Sequence, residues 1–317
     1  MANNPKPYFS TGYVEVNSNA FSNAGCYVLQ DGRQFFDFAC IFAANLNWDS
    51  VNQRSELRFN PQVSHLLNET DQVKQLQAKG ISVLLSVLNN HDRAGWSCFT
   101  SASDAEQFAQ QLASCVEFYG FAGIDIDDEW SDGTPNLTSL AMVTSFMRDA
   151  MPDKVISKAL WQDSRYFQEA WNGRRLADNL SYGWEMSYGG DPQSRLKPYL
   201  EAGMSPKQLA LGVQLPYAGD VQAIAEYTVR NGLGGFMAYD VDTRSAQALS
   251  TASQTLYGEP AQAQPNCLAA TAQPAVAASV PAAAGGATAI PGPGPRPRPR
   301  PRAAPRPRRT ARPRPSA

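Results

Sequence analysis

Residues 121–130 read FAGIDIDDEW, and they place the carboxylates of Asp125, Asp127 and Glu129 at every second position of an otherwise apolar stretch. Alternate side chains of a β-strand point to opposite faces of the sheet. The three carboxylates therefore share one face of a predicted strand, and the two isoleucines between them share the other. Such a cluster of acids is costly to bury, which indicates a functional role.

Seven further strand-like runs recur along the chain, with helix-like segments between most of them. Alternating strands and helices favour a parallel sheet with right-handed crossovers, either closed or doubly wound. A total of eight strands favours closure, so we predict an α/β fold: a TIM-like (β/α)8 barrel with some helices missing or shortened. The runs are YVEV from residue 13, FFDFACIFAA from 35, ISVLLSVL from 81, FAGIDID from 121, VISKAL from 155, LSYGWEMSY from 180, LALGVQL from 209 and GGFMAYD from 234.

The clearest predicted helix covers residues 101–120, where apolar side chains recur at helical spacing. Ser103 and Glu106 form a predicted capping box at its start, and Gly120 is placed to end it. The connection at residues 17–34 and the stretch around Gly189 are too short or too rich in glycine for a full helix. Weaker helical patterns cover residues 61–79, 137–150, 220–231 and 243–257.

The composition divides the chain into an N-terminal extension at residues 1–10, a barrel domain at 11–259 and an Ala/Pro/Arg-rich tail at 260–317. The tail is too poor in apolar bulk to offset its conformational entropy, so we predict that it is disordered. Removing its nine arginines from the net charge of −2 leaves −11 for residues 1–259. An acidic domain does not favour nucleic acid as a partner.

Other classes of protein are disfavoured by what the chain lacks. The five cysteines are scattered, which supports neither a zinc site nor a disulfide framework, and we expect free thiols with one pair at most. No metal or cofactor is therefore expected. The longest apolar runs have about eight residues, well short of the roughly 20 that cross a bilayer. The N-terminus shows no basic start and no apolar segment, so no signal peptide is visible.

The acidic strand suits general acid catalysis. Catalytic groups of a parallel barrel lie at the carboxyl ends of its strands, so Glu129 should stand at the rim with Asp127 and Asp125 progressively deeper. Coupling among three close carboxylates should raise at least one pKa toward neutrality, as protonation of a glycosidic oxygen requires. Two alternatives are a calcium loop, which would need glycine in place of Trp130, and an exposed acidic strand, which the apolar opposite face disfavours.

Residues 123–129, GIDIDDE, resemble the D-G-x-D-x-D-x-E signature of glycoside hydrolase family 18. Within that family the chain is similar to bacterial endo-β-N-acetylglucosaminidases of the Endo H type. The resemblance extends in order over roughly residues 12–258, through GYVEVNSNAF, FFDFACIFAANLNWD, GISVLLSVLNNHDRAGW, MPDKVIS, SYGWEMSYGG and GFMAYDVDTRS. The chain departs from the signature at one position, where Ala122 replaces the first aspartate. This replacement puts in doubt how strongly the titrations of the remaining carboxylates are coupled and how fast the protein hydrolyses its substrate.

The resemblance implies roles for four residues in a substrate-assisted, retaining hydrolysis. Glu129 would protonate the scissile oxygen and later act as the base toward water. Asp127 would orient the 2-acetamido group of the substrate, whose carbonyl oxygen is the nucleophile, and Asp125 would share a proton with Asp127. Tyr188, in MSYGG, matches the tyrosine that hydrogen-bonds the acetamide oxygen. This scheme is an exception to the usual pair of protein carboxylates.

Further polar and aromatic residues follow the ends of predicted strands, where they are candidates for contact with sugar. Tryptophan faces stack on sugar rings, although core packing is the competing interpretation for each one. The asparagines are candidate partners for sugar hydroxyl and amide groups, with loop capping as the alternative. The candidates are Asn45, Asn47, Asn89, Trp96, Trp130, Tyr239 and Asp240.

We predict an endo-β-N-acetylglucosaminidase that cuts the GlcNAc-β1,4-GlcNAc bond of the N-glycan core. One alternative is a chitinase of the same chemistry. The resemblance disfavours it, because chitinases of the family usually have a tryptophan beneath the reaction site on the eighth strand, whereas residues 236–240 read FMAYD. The other alternative is an inactive carbohydrate-binding protein, which the presence of Glu129 disfavours. The expected partners are N-linked glycans of glycoproteins, of the high-mannose class. We expect a monomer that binds neither nucleic acid nor membrane, and the resemblance implies secretion.

Overall fold

In the residues that the computed structural model describes, 6–215 and 221–270, eight parallel strands close into a barrel. Each strand pairs with the next along the chain, and the first strand also pairs with the last. All eight predicted strands are therefore confirmed. They are β1 (Phe9–Glu15), β2 (Phe38–Asp49), β3 (Ser82–Asn89), β4 (Gly123–Asp127), β5 (Val155–Leu160), β6 (Tyr182–Glu185), β7 (Leu209–Gln214) and β8 (Gly235–Tyr239).

Helices occupy most of the connections between the strands. The segment predicted as one helix at residues 61–79 forms two, with the first capped by the Asn60 side chain, which accepts a hydrogen bond from the Val63 amide at 2.8 Å. The helices are α1 (Pro61–Glu69), α2 (Gln72–Ala78), α3 (Ala102–Tyr119), α4 (Ser139–Ala150), α5 (Leu176–Asn179), α6 (Pro192–Glu201), α7 (Val221–Arg230) and α8 (Ala246–Tyr257).

The ends of α3 show one error and one success of the sequence analysis. The predicted capping box of Ser103 and Glu106 is wrong, because the cap is Ser101, whose hydroxyl accepts from the Asp104 amide at 3.3 Å. The helix thus begins two residues earlier than that box requires. Gly120 ends the helix as predicted, with a φ of 68° that glycine adopts without steric cost.

The helix-poor connections are only partly where they were predicted. Residues 17–34 contain a short 3-10 helix, Phe21–Cys26, and the strand Tyr27–Val28, in agreement with the prediction. The stretch around Gly189 instead leads into the ten-residue helix α6. The second reduced connection lies between β5 and β6, where the only α-helix in this described segment is the four-residue α5.

The alternation of the strands separates two apolar layers. Side chains on the inner faces, including Tyr13, Phe42, Leu84 and Trp184, fill the interior of the barrel. Side chains on the outer faces, including Ile124 of β4, pack with the helices in a larger cluster. Because each fully buried aliphatic side chain contributes about 1.5–3 kcal/mol, the two layers fix the face that each strand turns inward. Among the described residues, no helix is long and apolar enough to cross a membrane.

The folded region extends beyond the predicted boundary at residue 259. Residues Gln262–Ala263 form an antiparallel pair with Tyr27–Val28, and Cys26 forms a disulfide with Cys267. Disorder from residue 260 onward is therefore wrong for residues 260–270, because local composition does not show a cross-link to the other end of the chain. The rest of the predicted tail, residues 271–317, lies outside the described residues.

Candidate active site

The three carboxylates of the opening motif rise along the inner side of β4 toward its carboxyl end. Asp125 is fully buried, Asp127 is 1% exposed and Glu129, just beyond the end of the strand, is half-buried. The order from depth to rim is the one predicted from the sequence. Burial of Ile124 and Ile126 on the opposite face holds this orientation, since a shift of the strand by one residue would turn both isoleucines into the barrel and the carboxylates toward the helices.

Asp125 is surrounded by hydrogen-bond donors from four other strands. The Tyr13 and Ser86 hydroxyls donate to its Oδ2 at 2.7 and 2.8 Å. The Ser157 hydroxyl and the Trp184 indole N–H donate to its Oδ1 at 2.7 and 2.8 Å. Each carboxylate oxygen thus accepts two bonds from the described residues, which compensates the cost of burying the charge.

Strand register explains why the two serines reach Asp125. In the barrel, Ser86 of β3 and Ser157 of β5 are the direct neighbours of Asp125 on either side. Neighbouring residues of parallel strands point to the same face, so both hydroxyls enter the barrel at the level of the carboxylate. Tyr13 and Trp184 extend to the same point from β1 and β6.

Burial raises the pKa of Asp125, and the hydrogen bonds from Ser157, Tyr13, Ser86 and Trp184 oppose that rise. The sequence analysis expected a raised pKa from repulsion among the three carboxylates, whereas the main cause here is the removal of Asp125 from water. Burial also raises the pKa of Tyr13, and the charge of Asp125 adds to the effect. The phenol of Tyr13 therefore stays protonated and donates its hydrogen bond.

Tyr188 lies in the same interior as the carboxylates. It follows β6, and its ring is part of the apolar cluster inside the barrel, 6.2 Å from the Tyr239 ring between centroids. Tyr239 in turn lies 6.2 Å from the Tyr13 ring. Gly212 of β7 makes room for Tyr188, because a Cβ there would lie 3.1 Å from Tyr188 Cε1. The structure thus brings Tyr188 and Tyr239 to the side of the barrel where Tyr13 binds Asp125.

Asp240 follows Tyr239 at the end of β8, and both of its carboxylate oxygens accept hydrogen bonds. Its partners are the Glu15 amide at 2.8 Å and the Asn19 side-chain amide at 2.5 Å. Burial raises the pKa of Asp240 to about 7. These bonds connect the carboxyl ends of β8 and β1, while the predicted contact of Asp240 with sugar stays a prediction.

The three candidate asparagines differ in their surroundings. Asn89 lies on the outer face of β3, where its Nδ2 donates to Asp128 at 2.9 Å and its Oδ1 accepts from the Trp96 amide at 3.1 Å. It therefore positions Asp128, while its predicted contact with sugar stays a prediction. Asn47 is buried and donates to Asp92 at 3.2 Å, and Asn45 is half-buried on the same strand. Sugar contacts of these two stay predictions.

The candidate tryptophans separate into a core residue and a surface residue. Trp96 is fully buried, its indole N–H donates to the Val87 carbonyl at 2.8 Å, and its ring lies 5.4 Å from that of Phe108 in α3. Its predicted contact with sugar is wrong, because helix packing encloses the ring. Trp130 is 41% exposed, directly after Glu129, and its ring lies 5.4 Å from that of His91.

Sequence reasoning missed the residues that hold Asp125. Ser86 and Ser157 were detectable as hydroxyls within largely apolar strand runs, although only the register assigns them to Asp125. None of the Asp125 donors comes from position 122, so the alanine at that position leaves the observed network complete. Within residues 6–215 and 221–270, no cluster of three His, Cys, Asp or Glu side chains could hold a metal ion.

Comparisons with known proteins identify the family of the chain. Residues 12–217 match the model of glycosyl hydrolases family 18. An endo-β-N-acetylglucosaminidase of Flavobacterium sp. (strain SK1022) is 35% identical over 262 residues, which cover 80% of this chain and 81% of the relative. Endo-β-N-acetylglucosaminidase F1 of Elizabethkingia meningoseptica is 30% identical over 267 residues, which cover 78% and 77%.

Solved structures share the fold at lower identity. EndoBT-3987 of Bacteroides thetaiotamicron, determined with a Man5GlcNAc product, superposes with a TM-score of 0.69 at 24% identity, over 81% of this chain and 62% of that chain. This chain thus spans less than two thirds of that protein. A family 18 chitinase of Cycas revoluta with (GlcNAc)3 gives a TM-score of 0.59 at 16% identity, over 78% and 99%. With more than half of its length matched by the family model, the chain belongs to glycosyl hydrolases family 18.

Proposed function

We propose that the protein is an endo-β-N-acetylglucosaminidase that hydrolyses the GlcNAc-β1,4-GlcNAc bond of the N-glycan core. The observation that supports this proposal is the graded burial of Asp125 and Asp127 on β4 and of Glu129 just beyond the strand, with Tyr188 packed against the apolar cluster inside the same barrel. Two relatives that are 35% and 30% identical carry this activity in their names, which supports the same bond specificity.

Glu129 is the general acid in this proposal. It stands at the rim, half-buried, where it can protonate the glycosidic oxygen and later take a proton from water. Asp127 lies one step deeper and orients the 2-acetamido group of the substrate. The carbonyl oxygen of that group attacks the anomeric carbon, so the substrate supplies the nucleophile and the configuration is retained over two displacements.

Asp125 and Tyr188 support the intermediate that this attack forms. The bonds from Tyr13, Ser86, Ser157 and Trp184 hold the Asp125 carboxyl in place below Asp127, with which it shares a proton. When the shared proton lies on Asp125, the ionised Asp127 stabilises the positive oxazolinium-like intermediate. The Tyr188 hydroxyl donates to the acetamide oxygen and holds it close to the anomeric carbon.

The finer features of the partner belong to the same proposal. The substrates are N-linked glycans, and the high-mannose class is favoured because EndoBT-3987, which shares the fold, was determined with Man9GlcNAc2Asn. The protein acts as a monomer and requires no cofactor, nucleic acid or membrane, since the proposed residues lie within one barrel.

Mass spectrometry of a high-mannose glycoprotein before and after incubation tests this function. We expect loss of the glycan with one GlcNAc left on asparagine, no turnover by Glu129→Gln, and full turnover by Glu117→Gln, a matched change on the exposed surface of α3. Cleavage of chitin oligomers alone would instead identify a chitinase. Glycan binding without turnover by the unaltered protein would identify a binding protein and contradict the proposal.

A further inference from the structure

A cavity of about 330 Å³ opens beside the barrel mouth, and we call it the lateral cavity. It lies between the loops that follow β3, β4 and β5. Asp127, Glu129 and Tyr188 are not among the residues that line it. Its lining includes Asn89, Asp128, Trp130, Trp161, Gln162 and Asp163.

The lateral cavity lies on the outer side of β4. Asp128 points away from the barrel interior, since it accepts hydrogen bonds from Asn89 Nδ2 at 2.9 Å and from the Ser97 amide and hydroxyl at 3.3 and 3.2 Å. Its chain neighbours Asp127 and Glu129 are the proposed acids of the barrel mouth. The cavity therefore adjoins the reacting centre without being part of it.

Two tryptophans give the lateral cavity exposed aromatic surface. Trp130 is 41% exposed and Trp161 is 50% exposed, which makes them the most exposed of the tryptophans in the described chain. An exposed aromatic ring makes few apolar contacts within the protein, so its face is available for a ligand to cover. A pyranose ring suits such a surface because its C–H groups pack on an aromatic face while its hydroxyls bind polar neighbours.

Polar groups with fixed positions accompany the two aromatic rings. All three hydrogen bonds to Asp128 reach its Oδ1, and none of the described residues donates to its Oδ2, which leaves that oxygen to accept from a hydroxyl. Gln162 is exposed beside Trp161 and offers an amide that both donates and accepts. Arg165 also lines the cavity and lies over the Tyr166 ring, so its positive charge accompanies the negative charge of Asp128. Charges of both signs, with an amide and an aromatic face beside them, match a neutral, hydroxyl-rich ligand.

A buried ion pair holds the loop that carries Trp161. Lys158 of β5, 1% exposed, pairs with Asp163, which also accepts a hydrogen bond from the Tyr199 hydroxyl at 2.6 Å. Asp163 lies two residues after Trp161, so this pair restrains the backbone at that side of the cavity. The backbone next to Trp161 is thus held in place before a ligand arrives, which lowers the entropy cost of binding.

We propose that the lateral cavity binds a neutral hexose on a branch of the N-glycan, outside the GlcNAc pair that is cut. This proposal rests on the proposed function and adds a site for the branch. The volume is near the lower end of the roughly 300–1,000 Å³ typical of small-molecule sites, which suits one branch and not a whole glycan. A linear GlcNAc chain that follows the barrel mouth has no branch to place there.

The test compares kcat/KM for two glycopeptides, one with a branched high-mannose glycan and one trimmed to the two GlcNAc residues and a single mannose. We expect Trp161→Ala to lower kcat/KM about fivefold to tenfold on the branched substrate, the size of one aromatic contact. On the trimmed substrate the rate should stay the same. Phe118→Ala, which removes an aromatic ring that is 79% exposed on α3, is the matched control and should change neither rate.

A binding measurement supplies the second readout. In the Glu129→Gln protein, calorimetric titration with a branched oligomannose probe should show weaker binding when Trp161→Ala is added. Equal losses on both substrates, or unchanged rates and unchanged binding, would overturn the lateral site. If the unaltered protein cuts neither glycopeptide, the proposed function fails. In that case weaker probe binding by Trp161→Ala would still support a sugar site in the lateral cavity. Unchanged probe binding would reject the lateral site.

Discussion

The Tyr13 hydroxyl donates a hydrogen bond of 2.7 Å to Oδ2 of Asp125, and this bond joins the first strand of the barrel to the fourth. The Tyr13 ring also lies 6.2 Å from the Tyr239 ring, which in turn adjoins Tyr188. A single side chain therefore connects the deepest carboxylate with both tyrosines of the barrel mouth. The Tyr13 hydroxyl stabilises the negative charge of Asp125, and the Tyr13 ring packs against the Tyr239 ring.

Tyr13→Phe separates these two effects, because it removes the hydroxyl and keeps the ring. Hydrogen bonds to charged groups contribute about 1.5–3 kcal/mol, so we expect kcat to fall roughly 10- to 100-fold with a smaller change in KM. The pKa of Asp125 should rise further, since one bond that opposes the effect of burial is lost. Steady-state kinetics over a range of pH measures both changes.

A matched control for this substitution is Tyr119→Phe, which removes a hydroxyl that donates to Asn68 on the outside of the barrel. Its kinetics should equal those of the unaltered protein. Normal kcat in Tyr13→Phe would show that the bond to Asp125 does not serve the reaction.

Gly212→Ala should displace Tyr188 without changing any polar group. The added Cβ would lie 2.6 Å from Met237 Cε, 2.7 Å from the Glu185 carbonyl oxygen and 3.1 Å from Tyr188 Cε1. The methionine end can move aside, whereas the backbone oxygen has little freedom to move. We expect a loss of about 1–3 kcal/mol in the free energy of unfolding and a marked fall in kcat. Urea denaturation and initial rates measure these effects, and Gly189→Ala, which meets no atom within 4 Å, should change neither.

Lys158→Met should destabilise the protein, because it leaves the carboxylate of Asp163 buried beside an apolar side chain. Removal of one partner from a buried ion pair costs about 3–5 kcal/mol. Adding Asp163→Asn should recover part of this loss, so the two changes should be less than additive in urea denaturation. Lys74→Met breaks a surface pair with Asp71, whose two side chains are 83% and 76% exposed, and should alter stability by less than about 1 kcal/mol.

Asp240→Asn should reduce the dependence of stability on pH. Burial raises the pKa of Asp240 from 3.8 to about 7 in the folded state, so between these values the folded protein binds a proton that the unfolded chain has lost. The stabilisation is complete below pH 3.8 and is lost as the pH rises to about 7. Since one pKa unit corresponds to about 1.4 kcal/mol, the contribution amounts to a few kcal/mol.

Urea denaturation at about pH 5 and about pH 8 detects this contribution in the free energy of unfolding. The unaltered protein should lose more stability than Asp240→Asn between the two conditions. Asp153→Asn, at an exposed position, should leave the pH dependence as it is. A slope that is the same in all three proteins would contradict the shifted pKa of Asp240.

Predictions from the sequence were correct where the alternation of side chains along a strand decides the structure. They were wrong where segments that are distant along the chain come into contact. Alternation placed Asp125 and Asp127 on one face of the strand, and strand counting gave the closed barrel. Trp96 was misjudged because its position after a strand does not reveal that α3 covers the ring. The end of the folded region was misjudged because the partner of Cys267 lies at the other end of the chain.

By itself, the sequence determined the strands, the acidic face of β4 and the residues that carry the proposed chemistry, because side-chain periodicity and residue type are local properties. The tertiary structure alone decided which hydroxyls surround Asp125, since Ser86 and Ser157 meet it through the register of neighbouring strands. It also decided that Trp130 and Trp161 line one cavity. The physical reason is that closure of the barrel brings together side chains whose separation along the chain is not encoded in any local pattern.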